Sequence, residues 1–322
     1  MASSNVRLIA LLALLALPAV PMRAEPFSKN IARGETYLLH HFNQNLGLIY
    51  ESEDTGLHWL RNEFPNFHWK YDQTYWLYSD NLFAHLALRP DHPEIANRIR
   101  ESIEAYNQSP ANLFEVVAGQ HIQLPLQNPQ DFIVAKDENH VIMIRRHNAS
   151  SIALGDYVDF WMYEALEHAL EGDLTSAEFL VHQAERLWRG DGLWDWSFTV
   201  YDHIFSNQKL ALLLFTARAI GINLEHESEM ETHLWGMQND DGGVASLSLP
   251  TGEKAGSANA ETTALSILIY DQTLLSRFPK AQSSSEMNAS TLAVPVAIVA
   301  LLVVFALPAK RIARSKLSWG RM

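Results

Sequence analysis

Residues 235–244, WGMQNDDGGV, lie between two helical patterns and decide how the fold of this chain is interpreted. The two aspartates can bond to nearby backbone and the two glycines supply positive φ, so the stretch predicts a tight turn. Residues 259–265, NAETTAL, follow after a short loop. Asn259 is a good helix cap, and Glu261 falls in the first helical turn, where a carboxylate meets the positive end of the helix. The two segments therefore predict a helix, a tight turn, a loop and a second, capped helix.

Working outward from this turn, apolar residues at helical spacing fill most of the chain between residues 26 and 280. The helices predicted in this way are 31–46, 74–88, 93–106, 154–170, 175–188, 206–220, 225–235 and 260–275. The joints between them are short, which predicts antiparallel neighbours. Residues 113–146 differ, because DFIVA and HVIMIRR alternate around a polar turn at 136–139, and this pattern predicts a β-rich insertion.

The turn and the capped helix together resemble the repeat of α/α-toroid proteins. In that repeat a helix ends in Gln-x-x-Asp-Gly-Gly, and the next helix begins with small residues and Glu or Thr. Terpenoid cyclases, protein prenyltransferases and the six-hairpin glycosidases are built from such repeats, and residues 75–82, YWLYSDNL, also resemble helix starts in exported toroid proteins and six-hairpin glycosidases. The resemblance implies an all-α fold, an α/α toroid of helical hairpins carrying the small β-rich insertion.

The two ends of the chain predict an exported protein anchored in the cell membrane. Residues 8–20 are an apolar run after Arg7, which predicts a signal peptide over 1–24. Met22 fits a cleavage site poorly, so retention of the signal as an anchor stays open. Residues 289–309 carry no charge and predict a single transmembrane helix, with a buried core helix as the alternative.

The charged residues around the apolar C-terminal run predict its orientation. The polar stretch 282–288 would form a stalk, and the basic residues of 310–322 would form a cytoplasmic tail, since basic residues favour the cytoplasmic side. The remaining part, 25–281, would then be an ectodomain that faces outward.

The composition excludes several functions that the resemblance would allow. The chain has 24 Lys and Arg against 37 Asp and Glu, a net charge of -13, which argues against nucleic acid as a partner. It has no cysteine, so it lacks the zinc ligand of prenyltransferases and the thiol of thioester proteins. The Asp-rich clusters of terpenoid cyclases are also missing. Glycan chemistry remains, because it needs only carboxylates and aromatic side chains.

No metal site or cofactor is predicted from the motifs. The stretch that begins at His226, HESEM, starts like a zinc-binding His-Glu-x-x-His motif, but Met230 stands where the second histidine is needed. His226, Glu229 and His233 share a helix face, which is better explained as an acidic solvent-facing surface.

Two carboxyl groups are the usual requirement for hydrolysis of a glycosidic bond. Asp80 and Glu261 are the predicted catalytic pair, although capping of a first helical turn would explain Glu261 without any catalysis. Aromatic faces beside carboxylates suit sugar rings, although the tryptophans can equally anchor a helical core. The residues predicted to bind substrate are Tyr75, Trp76, Asp156, Asp159, Trp194 and Asp195.

These observations predict a membrane-anchored carbohydrate-active enzyme, a hydrolase or a lyase, that acts on glycans outside the cell. The alternative is a non-catalytic surface-binding or envelope scaffold protein, and a third hypothesis is a lipid or isoprenoid ligand in the bore of the toroid. A cleft with aromatic side chains and two or more convergent carboxylates would favour the enzyme. A cleft filled by residues 113–146, or an apolar funnel, would favour binding.

Overall fold

The computed structural model describes residues 27–52, 73–106, 112–124, 126, 129–147, 157–200 and 203–281. About 52% of these residues are helical and about 17% are in strands, which form three small sheets. The helices are α1 (Ser28–His40), α2 (Leu82–Leu88), α3 (Pro93–Tyr106), α4 (Val158–Leu170), α5 (Leu174–Glu185), α6 (Trp196–Val200), α7 (Asn207–Ile220), α8 (Glu227–Gly236), α9 (Ala260–Leu268) and α10 (Gln272–Leu275). A π-helical turn, Leu77–Asn81, leads into α2, and a 3-10 helix covers Leu113–Ala118.

Helices α7 and α9 lie at the centre of the packing. Helix α9 contacts α1, α2 and α7, and α7 also contacts α4 and α8. Nearly every side chain of α7 and all but one of α9 are buried, as expected for helices that carry apolar residues on all faces and are surrounded by protein. Helices α3 and α5 pack outside α2 and α4. The first turns of α4, α7 and α9 carry the polar side chains of the candidate site.

The strands form three separate sheets. The first pairs β1 (Phe42–Asn43) with β2 (Leu48–Ile49). In the second, β5 (His140–His147) lies between β3 (Gln73–Trp76), which runs parallel to it, and β4 (Pro129–Lys136), which runs antiparallel. In the third, β7 (Ala245–Ser248) lies between β6 (Phe205–Ser206) and β8 (Lys254–Ala258), and both pairings are antiparallel.

The predicted all-α class, the α/α toroid, is wrong, because the described residues form a mixed α/β structure. Two places explain the error. Residues 74–76 follow helical spacing, but they join strand β3, since pairing with β5 satisfies their backbone groups. The predicted loop after the turn at 235–244 instead folds into the hairpin of β7 and β8. Local spacing was outweighed in both places by pairing with a distant or neighbouring strand.

No helix in the described ranges is both long and apolar enough to span a bilayer. The predicted span at 289–309 lies outside the described residues, and so do the predicted signal peptide (1–24), stalk (282–288) and basic tail (310–322).

The β-rich segment at 113–146 is only partly a separate insertion. Strands β4 and β5 form a hairpin where the alternating pattern predicted one, and Asp137 N donates to the carbonyl oxygen of His140 at 3.0 Å in its turn. The segment begins, however, with the 3-10 helix, because Asn112 and Glu115 form a capping box there. Strand β5 also pairs with β3, so the hairpin belongs to a sheet that includes an earlier part of the chain.

The tight turn predicted at 240–243, within the stretch 235–244, is confirmed. Asn239 N donates to Gly243 O at 2.7 Å, and Gly243 N donates to Asp241 Oδ1 at 2.9 Å. Gly242 has a φ of 97°, and a Cβ at this position would overlap the carbonyl oxygen of Arg33 in α1. The glycine is therefore needed both for the backbone conformation and for the close approach of α1.

Candidate functional site

Glu261 lies in the first turn of α9. Asn259 caps this helix, since its side chain accepts a hydrogen bond from Thr262 N at 2.8 Å, as the sequence predicts. Gln208 Nε2 donates to Glu261 Oε1 at 3.3 Å. The position of the Glu261 carboxyl group is therefore set by the start of α9 and by a side chain from α7.

A small cleft of about 90 Å³, here called the acid cleft, opens at Glu261. The acid cleft is lined by Leu113, Phe114, Arg145, Asp159, Phe160, Tyr163, Gln208 and Glu261. Its polar groups come from the first turns of α4, α7 and α9, from the second turn of α4 and from strand β5. Packing of α7 between α4 and α9 brings these helix starts together.

The acid cleft raises the pKa of Glu261 to about 7. Burial is the largest cause, because the charged form loses its hydration. The Asp159 carboxylate also raises this pKa, whereas Arg145 and the Gln208 hydrogen bond lower it. Glu261 therefore changes its protonation state near neutral pH.

Asp80 lies in the π-helical turn before α2 and is 1% exposed. Ser79 Oγ donates to Asp80 Oδ1 at 3.2 Å, while Oδ2 has no hydrogen-bond partner within the described part of the chain. Burial raises the pKa of Asp80 well above its usual range, and the nearby Glu51 and Glu261 carboxylates raise it further. The predicted pair, Asp80 and Glu261, thus interact electrostatically, but Asp80 does not line the acid cleft.

The two aromatic residues predicted to bind substrate on β3 point to opposite faces of the strand. Trp76 Nε1 donates to Glu51 Oε2 at 3.3 Å, and the Arg145 guanidinium lies 5.3 Å from the Trp76 ring centroid, close to the acid cleft. Tyr75 is fully buried on the other face, where its hydroxyl donates to Gln73 Oε1 at 2.6 Å. Tyr75 is thus a core residue.

Asp159 and Asp195 share one buried cation. Lys209 Nζ lies 3.2 Å from Asp159 Oδ1, donates to Ser197 Oγ at 2.9 Å and forms an ion pair with Asp195. Burial alone would lower the pKa of Lys209, but the two carboxylates outweigh burial and raise it. Asp195 also accepts from Val158 N at 3.3 Å and from Ser197 Oγ at 2.5 Å. Asp195 is therefore a buried counter-ion.

Trp194 lies in a second and larger cleft of about 490 Å³, here called the aromatic cleft. This cleft is lined by Trp161, Gln183, Arg186, Leu187, Trp194, Asp195 and Trp196. It shares no lining residue with the acid cleft, so the structure separates Trp194 from Glu261. Asp156, which was also predicted to bind substrate, lies outside the described residues.

Sequence reasoning missed five residues at or beside the acid cleft, namely Glu51, Arg145, Tyr163, Gln208 and Lys209. A signal for two of them exists, because Gln208 and Lys209 directly precede the apolar run 210–215. No comparable signal marks Glu51 and Arg145, since the pairing of β3 with β5 and their contacts with Trp76 bring them to the site.

No protein-family model, curated protein or solved structure matches the chain. Within the ranges that the structure describes, no three His, Asp or Glu side chains gather closely enough to hold a metal ion.

Proposed function

We propose that the protein is a glycan hydrolase in which Glu261 is the general acid. The observation that carries this proposal is a carboxyl group with a pKa of about 7 in a cleft that contains a second carboxylate. A glycosidic oxygen needs a proton as its bond breaks, and a carboxylic acid that is still protonated near neutral pH can supply it.

Asp159 is the better partner for Glu261 than Asp80. Asp159 lines the acid cleft beside Glu261, and its Oδ1 lies 3.2 Å from Lys209 Nζ, so its carboxyl group is placed where the second carboxyl group of a glycosidase is needed. Asp80 is buried outside the cleft lining, and its raised pKa favours the neutral form. A carboxyl group with a raised pKa, Glu261, near a second carboxyl group beside a lysine, Asp159, is the arrangement expected when acid and base roles share one site.

Hydrolysis is favoured over elimination by the state of Tyr163. A lyase needs a base that removes a proton from carbon, and Tyr163 is the phenol that lines the acid cleft. Burial and the Glu261 carboxylate raise the pKa of Tyr163 well above its usual range, so the phenolate is disfavoured. Arg145, the cation that could neutralise a uronate, is already paired with Asp131 at 2.6 and 3.0 Å.

The experiment is to incubate the purified full-length chain with neutral and acidic polysaccharides and to measure new reducing ends. We expect E261Q to lower kcat by roughly 100-fold to 10,000-fold, the range for loss of general acid catalysis. D159N should lower kcat more than D80N. The matched control is E164Q, because burial also raises the pKa of Glu164 but Glu164 does not line the acid cleft.

The pH profile gives a second test that loss of folding would not reproduce. We expect kcat/KM to fall above about pH 7, as Glu261 loses its proton. Because Arg145 lowers the pKa of Glu261, R145Q should move this basic limb to higher pH. Equal cleavage by the wild type and E261Q, or a basic limb that R145Q leaves in place, would contradict the role of Glu261.

A further inference from the structure

The aromatic cleft exposes two of the largest apolar side chains of the described surface. Trp194 and Trp196 are each 49% exposed. Large exposed aromatic groups that share one concave surface commonly mark binding sites. The volume of about 490 Å³ is in the range of small-molecule sites, so the cleft has room for sugar rings.

The aromatic side chains of this cleft are held in place by contacts behind them. The Trp194 ring stacks on Phe198 with 4.8 Å between centroids, and the Trp196 ring meets Tyr157 edge-on at 5.1 Å. A ligand would therefore not have to order these side chains, which reduces the entropic cost of binding.

The aromatic cleft presents an arginine, although the whole chain is acidic. Arg186 lines the cleft, and the Arg189 guanidinium lies 5.9 Å from the centroid of the Trp194 ring. Neither arginine forms an ion pair with a carboxylate of the described residues. Asp195, the carboxylate in the lining, is already paired with Lys209. The cleft thus offers the Arg186 guanidinium, without an ion-pair partner among the described residues, in a chain with a net charge of -13.

We propose that the aromatic cleft binds an acidic oligosaccharide, with sugar rings stacked on Trp194 and Trp196 and a uronate carboxylate paired with Arg186. Sugar rings present C–H faces that suit an indole, and a planar guanidinium can hold a carboxylate through two parallel hydrogen bonds. Gln183 adds an amide that can bond to a ring hydroxyl. The two clefts share no lining residue, so this site does not depend on cleavage in the acid cleft.

The test is isothermal titration calorimetry on the full-length chain with an oligogalacturonate and with its methyl ester. The two probes have the same rings and differ in the carboxylate charge. We expect the free acid to bind and the ester to bind at least about tenfold more weakly, because it cannot pair with Arg186. Binding of the free acid should also weaken as salt is added.

Variants of the cleft locate the binding site. W194A and R186Q should each weaken binding of the free acid by about tenfold. F179A is the control, because Phe179 is an exposed aromatic residue on α5 that does not line the cleft. W194A removes the stack on Phe198 and could disturb the packing there. Arg186 is exposed, so R186Q should leave the packing intact and tests the site independently.

Several outcomes would overturn the proposal. Equal affinity for the acid and the ester would remove the role of the carboxylate. Absence of binding, or binding that neither W194A nor R186Q weakens, would show that the aromatic cleft is not a binding site for the acidic oligosaccharide. Loss of binding in E261Q would place the ligand in the acid cleft instead. Binding that persists in E261Q while cleavage is lost supports this site independently of the proposed hydrolase activity.

Discussion

Replacement of Lys209 by methionine should lower the free energy of unfolding by about 4 kcal/mol. Lys209 is 7% exposed, and methionine keeps most of its volume while it removes the charge. The variant leaves Asp195 buried without its cation, and loss of one partner from a buried ion pair costs about 3–5 kcal/mol. The second partner, Asp159, has a side chain that is 23% exposed, so its contribution is closer to the 0–1 kcal/mol of a surface pair.

Urea denaturation measures this loss. A slope of about 2–3 kcal/mol per molar urea would move the midpoint of unfolding down by roughly 1.3–2 M. Because folding raises the pKa of Lys209 from its ordinary 10.5, its stabilisation is present below about pH 10 and is lost only as pH rises through the raised value. Measurement at pH 7 therefore captures all of it.

Two further variants separate charge from packing. K254M is the matched control, because Lys254 is an exposed lysine whose ammonium group donates to the Gln238 carbonyl oxygen, and we expect its cost to stay below about 1 kcal/mol. D195N in the K209M background should recover roughly half of the loss, since a neutral amide does not need the cation. A K209M loss below 1 kcal/mol, or no recovery in the double variant, would refute the reasoning.

Three other predictions concern α9 and the turn before it. Folding raises the pKa of Glu261 from its ordinary 4.5 to about 7, so the folded state binds the proton more tightly than the unfolded state. As pH rises from about 4.5 to about 7, the free energy of unfolding of the wild type should therefore fall by on the order of 3 kcal/mol more than that of E261Q. Urea denaturation at several pH values measures this, and an equal change in the free energy of unfolding with pH for the two proteins would contradict it. G242A should destabilise the fold by more than G252A, because both glycines have positive φ but a Cβ is obstructed only at Gly242; equal melting temperatures would argue against the close approach of α1. N259A and D173A should each lower the free energy of unfolding by about 1 kcal/mol, because each removes a helix cap. Only N259A should also lower glycan cleavage. An equal effect of both variants on cleavage would show that the cap of α9 does not position the site.

Local features were predictable from the sequence, and contacts between distant residues were not. The turn at 235–244 and the Asn259 cap depend on residues within a few positions of one another, so both can be predicted from the local sequence. The hairpin of β4 and β5 is also local, with strands separated by a short turn. Strand β3 is different, because its partner β5 lies more than 60 residues later in the chain.

The same distinction explains which residues of the candidate site could be predicted from the sequence. Glu261 and Asp159 were recognisable because carboxylates in first helical turns form a pattern in the sequence. Arg145 and Glu51 were not, since their places depend on which strands and helices become neighbours. Tyr75 and Trp76 are adjacent in sequence and were given the same role, but alternation along β3 buries one in the core and brings the other toward the acid cleft.

The contact of α1 with α9 has a consequence for how the chain is made on the ribosome. Tyr37 Oη donates to the carbonyl oxygen of Ala258 at 2.9 Å across 221 positions, and Gly34 packs against Ile267. The first described helix therefore lacks its main partner surface, α9, until nearly all of the described chain has been synthesised, although it also contacts α2. We expect nascent chains that stop before α9 to leave α1 unprotected from protease and to depend on chaperones, because long-range contacts of this kind form late.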